Sequence, residues 1–166
     1  MNSLTAGISL RPVRADDREM IFRWRNDPFI LAHGSSNREI NWDEHAKWFE
    51  ETLAEHGRKV YVVVNQNAPI GQVRFDRQDE RDCVVSVYLL REFTGHGWGV
   101  QAIREGCSLI FGAWDVGRVI ACVRSDNPGG RSAFLKAGFE EAGVGVCPSN
   151  HHSLVLRRSN AARMDD

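Results

Sequence analysis

The stretch Phe93–Ile103, FTGHGWGVQAI, places three glycines at alternate positions between an apolar run and an amphipathic helix. The run before it, CVVSVYLL from Cys83 to Leu90, has the apolar content of a buried strand. Behind it, apolar residues recur at three- and four-residue steps, as on one face of a helix: Val100, Ile103, Cys107, Ile110 and Trp114. The glycines therefore lie on a strand-to-helix turn, where backbone N–H groups and the helix dipole can bind an anion.

Two well-known phosphate motifs do not fit this turn. In the dinucleotide fingerprint G-x-G-x-x-G, Gly95 and Gly97 match but Val100 takes the third glycine position, and no βαβ unit opens the chain. A P-loop needs Gly-Lys followed by Ser or Thr, which the sequence lacks. Spacing and strand order therefore argue against a dinucleotide-dependent oxidoreductase. Alternate glycines suit a turn whose N–H groups converge on a pyrophosphate, and a tight turn without a ligand is the structural alternative.

Composition indicates one ordinary globular domain. The 166 residues contain 42% hydrophobic and 26% charged residues with a net charge of −1, which fits a single core and gives no reason to expect nucleic acid or an anionic membrane as a partner. No apolar run approaches the roughly 20 residues that span a bilayer, and the N-terminus lacks a signal-peptide pattern. We expect a cytoplasmic domain over residues 1–158 and a polar, disordered tail over 159–166.

The cysteines are dispersed and form no metal-type pair spacing: Cys83, Cys107, Cys122 and Cys147. Three of them fall inside apolar strand or helix patterns, so reduced core thiols are the favoured interpretation. His33, His151 and His152 have no carboxylate or thiol companions that would complete a site. We therefore predict no metal.

The order of elements predicts an α+β fold, with one mixed sheet flanked by helices in three layers. Helices are expected after an Asp16–Glu19 capping box and after Asn41, the latter ending near Gly57. A third follows the glycines and a short one follows SDNPGG. The expected strands are Ile8–Val13, Lys59–Val64, Pro69–Asp76, Cys83–Leu90 and Arg118–Arg124, with a closing hairpin from segments around EEAGVGV and HHSLVLRR.

From Leu89 to Phe139 the chain resembles the GNAT family of N-acetyltransferases. The family pattern Arg/Gln-x-x-Gly-x-Gly/Ala corresponds to TGHGWG, Thr94–Gly99, and a second block corresponds to NPGGRSAFLKAGF, Asn127–Phe139. The two blocks have the family's order and separation. The resemblance implies a GNAT fold, with a central sheet that is splayed where acetyl-coenzyme A binds.

The resemblance also implies which residues hold acetyl-coenzyme A. Backbone N–H groups of the turn would bind the pyrophosphate: Gly95, His96, Gly97, Gly99 and Val100. Val87 and Leu89 would bond the pantetheine amides as an extra strand, and Asn127 would contact the cofactor from the following strand.

Two positions depart from the family. Thr94 replaces the Arg or Gln, so a side-chain contribution to phosphate binding is missing unless His96 or Arg91 supplies it. Phe134 replaces the Tyr that often protonates the departing thiolate near the thioester sulfur. The acid is then elsewhere, a water, or unnecessary. We favour no dedicated acid, since a thiol of pKa about 8.5 is a tolerable leaving group, with Ser132 as an outside candidate.

The N-terminal half is similar to the nucleotide-sugar N-acetyltransferases of the pseudaminic-acid pathway, which acetylate the 4-amino group of a UDP-linked amino sugar. The similar segments are FRWRNDP (22–28), INWDEHAKWFEETL (40–53) and IGQVRFDR (70–77). This resemblance would place Arg25 and His45 near the acceptor nucleotide and line the same cleft with Arg74, Asp76 and Arg77. An arginine fork suits a diphosphate better than a lysine does.

Ordinary structural roles compete with this interpretation. On the helix after Asn41, His45, Trp48 and Phe49 share one face. Core packing is the alternative for the two aromatic residues, and a structural hydrogen bond is the alternative for His45. Arg23 and Arg25 suit solvated positions at a helix end. Trp48 nevertheless remains a predicted acceptor-site residue.

Acetyl transfer needs a neutral amine and a stabilised oxyanion. His45 has a suitable pKa range for taking the amine proton, and Asp76 offers a second base, directly or through water. A backbone N–H near Leu89 would stabilise the oxyanion, which is worth about 2.7–4 kcal/mol of barrier. Transfer is expected to be direct, because none of the cysteines has the context of a nucleophile.

Other functions remain open at this stage. The acceptor is a small-molecule amine in the favoured interpretation, but a ribosomal protein N-terminus or an aminoglycoside is the nearest alternative. Asp43, Glu44, Glu50 and Glu51 would suit such cationic acceptors. A non-catalytic coenzyme A-binding module is the alternative of another class, suggested by Phe134. A homodimer is a further expectation that the sequence leaves undecided.

Overall fold

A computed structural model describes residues 7–34, 38–54, 57–143 and 145–158. Its centre is one seven-stranded sheet, formed by β1 (Ser9–Pro12), β2 (Arg58–Asn65), β3 (Ala68–Arg77), β4 (Asp82–Leu89), β5 (Arg118–Arg124), β6 (Glu140–Glu141) and β7 (His151–Arg157). The spatial order is β1-β2-β3-β4-β5-β7-β6. The predicted tail, 159–166, lies outside the described residues.

The sheet is mixed, as predicted. Only β4 and β5 pair in parallel, and the remaining neighbours are antiparallel. A parallel pair needs a crossover, which helix α4 (Trp98–Ala113) supplies. The closing hairpin forms over two residues only, where Glu140 and Glu141 pair with Val155 and Leu154.

Four further helices are α1 (Arg18–Arg25), α2 (Pro28–His33), α3 (Trp42–Leu53) and α5 (Pro128–Lys136). The predicted cap of α3 is confirmed, because Asn41 Oδ1 accepts the backbone N–H of Glu44 at 2.9 Å. This helix ends at Leu53, before the expected Gly57, whose φ of +71° does place it in the left-handed region.

The expected Asp16–Glu19 capping box is wrong. A 3₁₀ turn, Ala15–Asp17, precedes α1, and the carboxylate that closes it belongs to Asp17. Asp17 Oδ2 accepts the backbone N–H of Arg14 at 2.7 Å, and both carboxylate oxygens accept from Arg11 at 2.8 Å. This ion pair and the backbone bond outweigh burial and hold the pKa of Asp17 below its usual value.

Two apolar layers cover the sheet. On one face α4 and α5 pack against β3, β4 and β5, and Gly106 lets α4 approach closely, since a Cβ there would lie 3.0 Å from Val73 and 3.2 Å from Phe75. On the other face α1, α2 and α3 pack over β2 through Ile21, Phe49 and Val62, all fully buried. Each such side chain contributes about 1.5–3 kcal/mol by leaving water.

The expectation of four reduced thiols is wrong for two of them. Cys122 on β5 and Cys147 in the loop before β7 form a disulfide, while Cys83 and Cys107 are free and buried. Burial raises the pKa of both free thiols, to about 12 for Cys83. The 25-residue separation of the bonded pair concealed the disulfide, because only the sheet pairing brings the loop onto β5. In the part of the chain that is described, no helix is long and apolar enough to cross a membrane.

Candidate active site

The parallel strands β4 and β5 separate part-way along their length. Their ladder runs from Asp82–Arg118 to Val85–Ala121. Beyond that pair β4 continues to Leu89, still paired with β3, and β5 continues to Arg124, still paired with β7. The result is a V-shaped opening in the sheet, which we call the splay.

Backbone groups of β4 point into the splay. Leu90 donates its N–H to Ile70 of β3 at 2.8 Å, and successive residues of a strand turn their backbone groups to opposite sides. Leu89 and Val87 therefore direct their N–H and C=O groups away from β3, toward the position that β5 has left. The geometry is that of a strand edge inside a sheet, ready for a ligand with amide groups.

The glycine turn closes the end of the splay. A 3₁₀ turn, Arg91–Phe93, follows β4, and α4 then begins with Gly97 as its N-terminal cap residue. Gly95 and Gly97 have φ of +81° and +78°, in the left-handed region that other L-residues rarely adopt. No side chain caps α4, so the N–H groups of its first turn and the positive end of its dipole are available to an anion.

The side chains of this turn are held by one another. Thr94 Oγ1 donates to the carbonyl of Arg91 at 2.7 Å. The His96 ring stacks on Trp98 with 4.6 Å between centroids, and the Arg91 guanidinium lies 5.5 Å from the Phe29 ring of α2. His96 and Arg91, the two side chains that could replace the missing Arg or Gln, are both exposed near the glycines.

On the β5 side, Asn127 and Phe134 have structural roles. Asn127 Oδ1 caps α5 by accepting the N–H of Gly130 at 3.0 Å. Phe134 is 5% exposed and packs edge-to-face against Phe139, with 5.1 Å between ring centroids. An apolar ring in this position fills the core and offers no proton. Ser132, the outside candidate for the acid, is exposed on α5.

An arginine cluster surrounds one tryptophan on the acceptor side of the sheet. The guanidinium carbons of Arg25, Arg58 and Arg74 lie 4.2, 5.0 and 5.8 Å from the centroid of the Trp48 ring. Trp48 is thus neither plain core nor solvated, but a platform for cations. We call these four residues and Asp76 the arginine cluster. The sequence interpretation brought four of the five together and missed Arg58.

Asp76 is the counter-charge of the cluster. Its Oδ1 accepts from Arg58 Nε at 2.8 Å, and its Oδ2 lies 2.8 Å from Arg74 Nε. The second contact lacks hydrogen-bond alignment, so Arg74 Nε is buried without a hydrogen-bond partner. Arg58 and Arg74 share this one carboxylate, and Arg25 makes no contact with it, so the three guanidinium groups leave two positive charges in excess. Both oxygens of the carboxylate are thus engaged by arginines, which leaves neither of them directed at a substrate amine.

Arg25 carries the most perturbed charge of the cluster. Its described contacts are the Trp48 ring and His45 Nδ1, 3.2 Å from Arg25 Nη1, without an ion pair to a carboxylate. Burial, with the nearby charges of Arg74 and Arg58, lowers the pKa of Arg25 to about 10. The side chain remains charged at neutral pH, and an anion placed beside it would reverse part of this shift.

His45 lies behind the cluster, not in the cleft. It has no exposed surface, and its ring nitrogens contact the Arg18 carbonyl, 2.7 Å from Nε2, and Arg25, at Nδ1. Arg25 can only donate, so Nδ1 accepts and Nε2 carries the proton. Burial and the charges of Arg25 and Arg18 lower the pKa of His45. The structural alternative therefore describes its surroundings better than the role of catalytic base or substrate ligand.

Arg77 does not join the cleft. Arg74 and Asp76 face one side of the sheet, and Arg77, one residue on, faces the other. Its guanidinium lies 4.7 Å from the ring of Trp114, at the C-terminal end of α4. The expectation that it lines the acceptor site is wrong, because side chains alternate along a strand.

The cluster adjoins the splay. Arg74 Nη2 lies 3.5 Å from Ser86 Oγ, and Ser86 is the first β4 residue beyond the end of the β4–β5 ladder. Tyr88, further along β4, contacts Trp24 edge-to-face, and its hydroxyl donates to Gln72 at 3.3 Å. A ligand lying along β4 would thus have the glycine turn at one end and the cluster at its flank.

Comparison with known proteins identifies this architecture. Residues 8–140 match the family model described as the acetyltransferase (GNAT) domain. The chain belongs to the GNAT acetyltransferase family. The fold expected from the TGHGWG block is confirmed, and the chain is an N-acetyltransferase.

Solved structures of GNAT acetyltransferases share the fold at low sequence identity. The spermidine N-acetyltransferase of Vibrio cholerae, in complex with coenzyme A and spermine, superposes with a TM-score of 0.83 at 17% identity, over 95% of this chain and 99% of that one. Aminoglycoside acetyltransferase AAC(6')-Ib, in complex with coenzyme A and kanamycin, gives 0.82 at 19%, over 96% and 100%.

A relative is also found by sequence, and its solved structure superposes less closely. Acetyltransferase PseH of Campylobacter jejuni is 22% identical over 85 residues, which are 51% of this chain and 54% of PseH. The match thus spans about half the length of that relative. Its crystal structure superposes with a TM-score of 0.68 at 16% identity, over 91% of this chain and 98% of that one.

No group of three or more His, Cys, Asp or Glu side chains suited to a metal ion occurs within the described ranges. The groups that this GNAT acetyltransferase offers to a ligand at the splay are backbone amides of β4, the α4 N-terminus and arginines. These groups bind anions and orient carbonyls.

Proposed function

We propose that this enzyme transfers the acetyl group of acetyl-coenzyme A directly to the primary amine of a nucleotide-linked amino sugar. The observation that carries the acceptor assignment is the arginine cluster, whose excess positive charge flanks the splay. Spermine and kanamycin, the ligands in two structural neighbours, are polycations that such a cluster would repel. A diphosphate would satisfy the guanidinium groups, and a base or sugar ring would find an aromatic neighbour in Trp48.

The acidic residues of α3 do not alter this balance. Asp43, Glu44, Glu50 and Glu51 are exposed, whereas the buried side of the helix carries His45 and Phe49. Glu44 also pairs with Arg38, with 3.1 Å between Oε2 and Nη2. These carboxylates are therefore solvated charges, which weakens the argument for an aminoglycoside or a basic peptide.

The donor half of the proposal rests on the glycine turn and the splay. The pyrophosphate of acetyl-coenzyme A would bind the N–H groups of Gly95–Val100, and the pantetheine amides would pair with Val87 and Leu89. The thioester would supply the activated acetyl group near Leu89. In this arrangement the backbone N–H of Leu89, which points into the splay, would donate a hydrogen bond to the oxyanion.

Proton transfer is proposed without a dedicated protein acid. Phe134 has no proton to give, and a thiolate leaves readily. For the base, the double contact of Asp76 and the burial of His45 favour an amine that loses its proton to water in the cleft. In this proposal His45 positions the Arg25 guanidinium, and Asp76 positions the guanidinium groups of Arg58 and Arg74.

A thiol-release assay tests the acceptor. The panel contains UDP- and dTDP-linked amino sugars, kanamycin, spermine and N-terminal peptides, each with acetyl-coenzyme A. The proposal expects release with a nucleotide-linked amino sugar, inhibition by UDP competitive with that acceptor, and little release with spermine. Efficient turnover of kanamycin or spermine, unaffected by UDP, would overturn it.

A homodimer and a cytoplasmic place of action remain predictions. Sedimentation of the purified protein measures its oligomeric state.

The disulfide bears on the cytoplasmic location, since disulfides are uncommon in reducing compartments. A count of free thiols under native extraction conditions measures whether the bond is present in the cell.

A further inference from the structure

The short helix α2 spans the two limbs of the splay. At its N-terminal end Phe29 lies under the Arg91 guanidinium, 5.5 Å from ring centroid to guanidinium carbon, and Arg91 lies two residues beyond the end of β4. At its C-terminal end the carbonyls face the turn between β5 and α5. A helix of six residues is too short to be stable alone, so these tertiary contacts determine where it lies.

Two side chains of the β5 limb donate to the end of α2. Arg124 Nη1 lies 3.2 Å from the Ala32 carbonyl and 3.4 Å from the Gly34 carbonyl. Asn127 Nδ2 lies 3.5 Å from the carbonyl of His33. The last carbonyls of a helix have no partner within it and carry the negative end of its dipole, so a guanidinium is the group expected to hold them.

The same two residues are tied to the cofactor side of the splay. Arg124 is the last residue of β5, and its Nη2 lies 2.7 Å from Asp126. Asn127 caps α5 through its other amide atom. Because Asn127 uses Oδ1 for α5 and Nδ2 for α2, a change in the position of the β5–α5 turn is passed to the end of α2.

The apolar side of α2 faces the acceptor layer. Ile30 is 8% exposed and belongs to the same buried cluster as Trp24 of α1. Tyr88 of β4 and Leu90, the residue after this strand, pack against that cluster together with Trp48. We call Tyr88, Leu90 and Trp48 the acceptor wall. The position of this wall depends on the position of α2, because both pack against the same buried cluster.

We infer that Arg124 is a positioning residue that holds α2 across the splay, so that cofactor binding fixes the acceptor wall. The inference rests on the proposed function, since it requires coenzyme A to lie between the β4 and β5 limbs. Binding there orders the β5–α5 turn, and Arg124 transmits this order to the α2 carbonyls. The acceptor site is then completed after the donor has bound.

Hydrogen exchange with coenzyme A as the probe tests this inference. In the wild-type chain, saturating coenzyme A should slow exchange of the α2 amides, including Leu31 and Gly34, by about tenfold. In Arg124→Met the slowing should fall below about twofold at saturation, and Arg124→Lys, which keeps one charged donor, should recover part of it. Exchange in β7 serves as the reference for global stability in each variant.

Arg104→Met is the matched control. Arg104 Nη2 donates to the Lys136 carbonyl at the end of α5, at 2.7 Å, so the control removes an arginine from a different helix end. It should keep the full slowing in α2. Coenzyme A binding with no slowing in wild-type α2, or with equal slowing in Arg124→Met, would overturn this inference alone. Failure of the wild type to bind coenzyme A would overturn the proposed function, and the inference with it.

Discussion

The Arg25 guanidinium stacks on the Trp48 ring, 4.2 Å from its centroid, and both side chains are half-buried. Burial and the nearby charges of Arg74 and Arg58 lower the pKa of Arg25, and no described carboxylate forms an ion pair with it. Desolvated, unpaired charge of this kind is costly unless a ligand uses it. This relationship is the physical basis for expecting an anionic acceptor.

Replacing Arg25 by Met should raise the KM for the nucleotide-linked acceptor by about 10- to 100-fold. The range follows from the roughly 1.5–3 kcal/mol of a hydrogen bond to a charged group. The KM for acetyl-coenzyme A should change less than about twofold, because the glycine turn is separate from the cluster. Initial-rate kinetics with each substrate varied in turn measure both values.

Arg23→Met is the control for this prediction. Arg23 lies on the same helix with a side chain 68% exposed, and its contact with Glu19 is 3.7 Å long. Its loss should leave both KM values unchanged. An Arg25 variant with normal acceptor kinetics would move the acceptor site away from the cluster.

Stability should fall as the pH drops below about 6.5, because of His45. Its folded-state pKa is lowered by burial, so the unfolded chain binds the proton first, and the loss accumulates from the unfolded value of about 6.5 down to the folded one. Urea unfolding at pH 7.5, 6.5 and 5.5 measures this slope. In His45→Gln the slope over this range should be smaller.

The exposed His96 provides the comparison. His96→Gln removes a ring that stacks on Trp98 at the surface, so it is measured alongside as the matched histidine substitution. Equal slopes in His45→Gln and the wild type would assign the pH dependence to other groups. Asp17 and Asp82 do not add to the slope between pH 7.5 and 5.5. Their folded-state pKa values are lowered, so the stability that they contribute is lost only below about pH 4.

Much of the site was predictable from local patterns. The glycine turn was predictable, because the buried strand, the alternate glycines and the apolar stripe of the helix are patterns of neighbouring residues. The role of Asn41 as the N-terminal cap of α3 was predictable as well, because a cap bonds a residue only three positions away. The position of Arg77 was also predictable from sequence. Side chains alternate along a strand, so Arg77 faces the opposite side of the sheet from Arg74 and Asp76.

Other features depend on contacts that sequence does not display. The helix α2 is six residues long, so its only local signal is Asp27 followed by Pro28, a cap and a favoured first position. Arg58 joins the arginine cluster through the register of β2 with β3, where it faces Asp76. The Cys122–Cys147 bond likewise depends on how one loop folds over β5.

Substitutions at Gly99 should separate cofactor binding from stability. Gly99 lies in the first turn of α4, and a Cβ there would meet only Leu89 Cδ1, at 3.9 Å. Gly99→Ala, which the family pattern allows, should keep coenzyme A affinity and raise stability by a few tenths to about 1 kcal/mol. Gly99→Asp should keep the fold, because an acidic residue suits a helix start, but weaken coenzyme A binding at least tenfold.

Titration calorimetry with coenzyme A and thermal unfolding of the same samples measure the two effects. Gly97 is a less clean position, because its φ of +78° makes any side chain strained. Unchanged affinity in Gly99→Asp would remove the pyrophosphate from the α4 N-terminus.

Phe134→Tyr should change kcat by less than about threefold. The prediction follows from a leaving thiolate that needs no protein acid. Ser132→Ala should be equally silent. A rise of tenfold or more in Phe134→Tyr, with a new acidic limb in the pH profile, would show that protonation of the thiolate limits the enzyme.

Reduction of the Cys122–Cys147 disulfide should lower the free energy of unfolding by about 3–4 kcal/mol. The value follows from closing a loop of this length in the unfolded chain. Urea unfolding with and without dithiothreitol measures it, and the Cys122→Ser, Cys147→Ser double variant should match the reduced protein and no longer respond to the reductant. Coenzyme A affinity should be unaffected, because the glycine turn lies on the β4 side of the splay. A reductant response that persists in the double variant would show that it does not come from this disulfide.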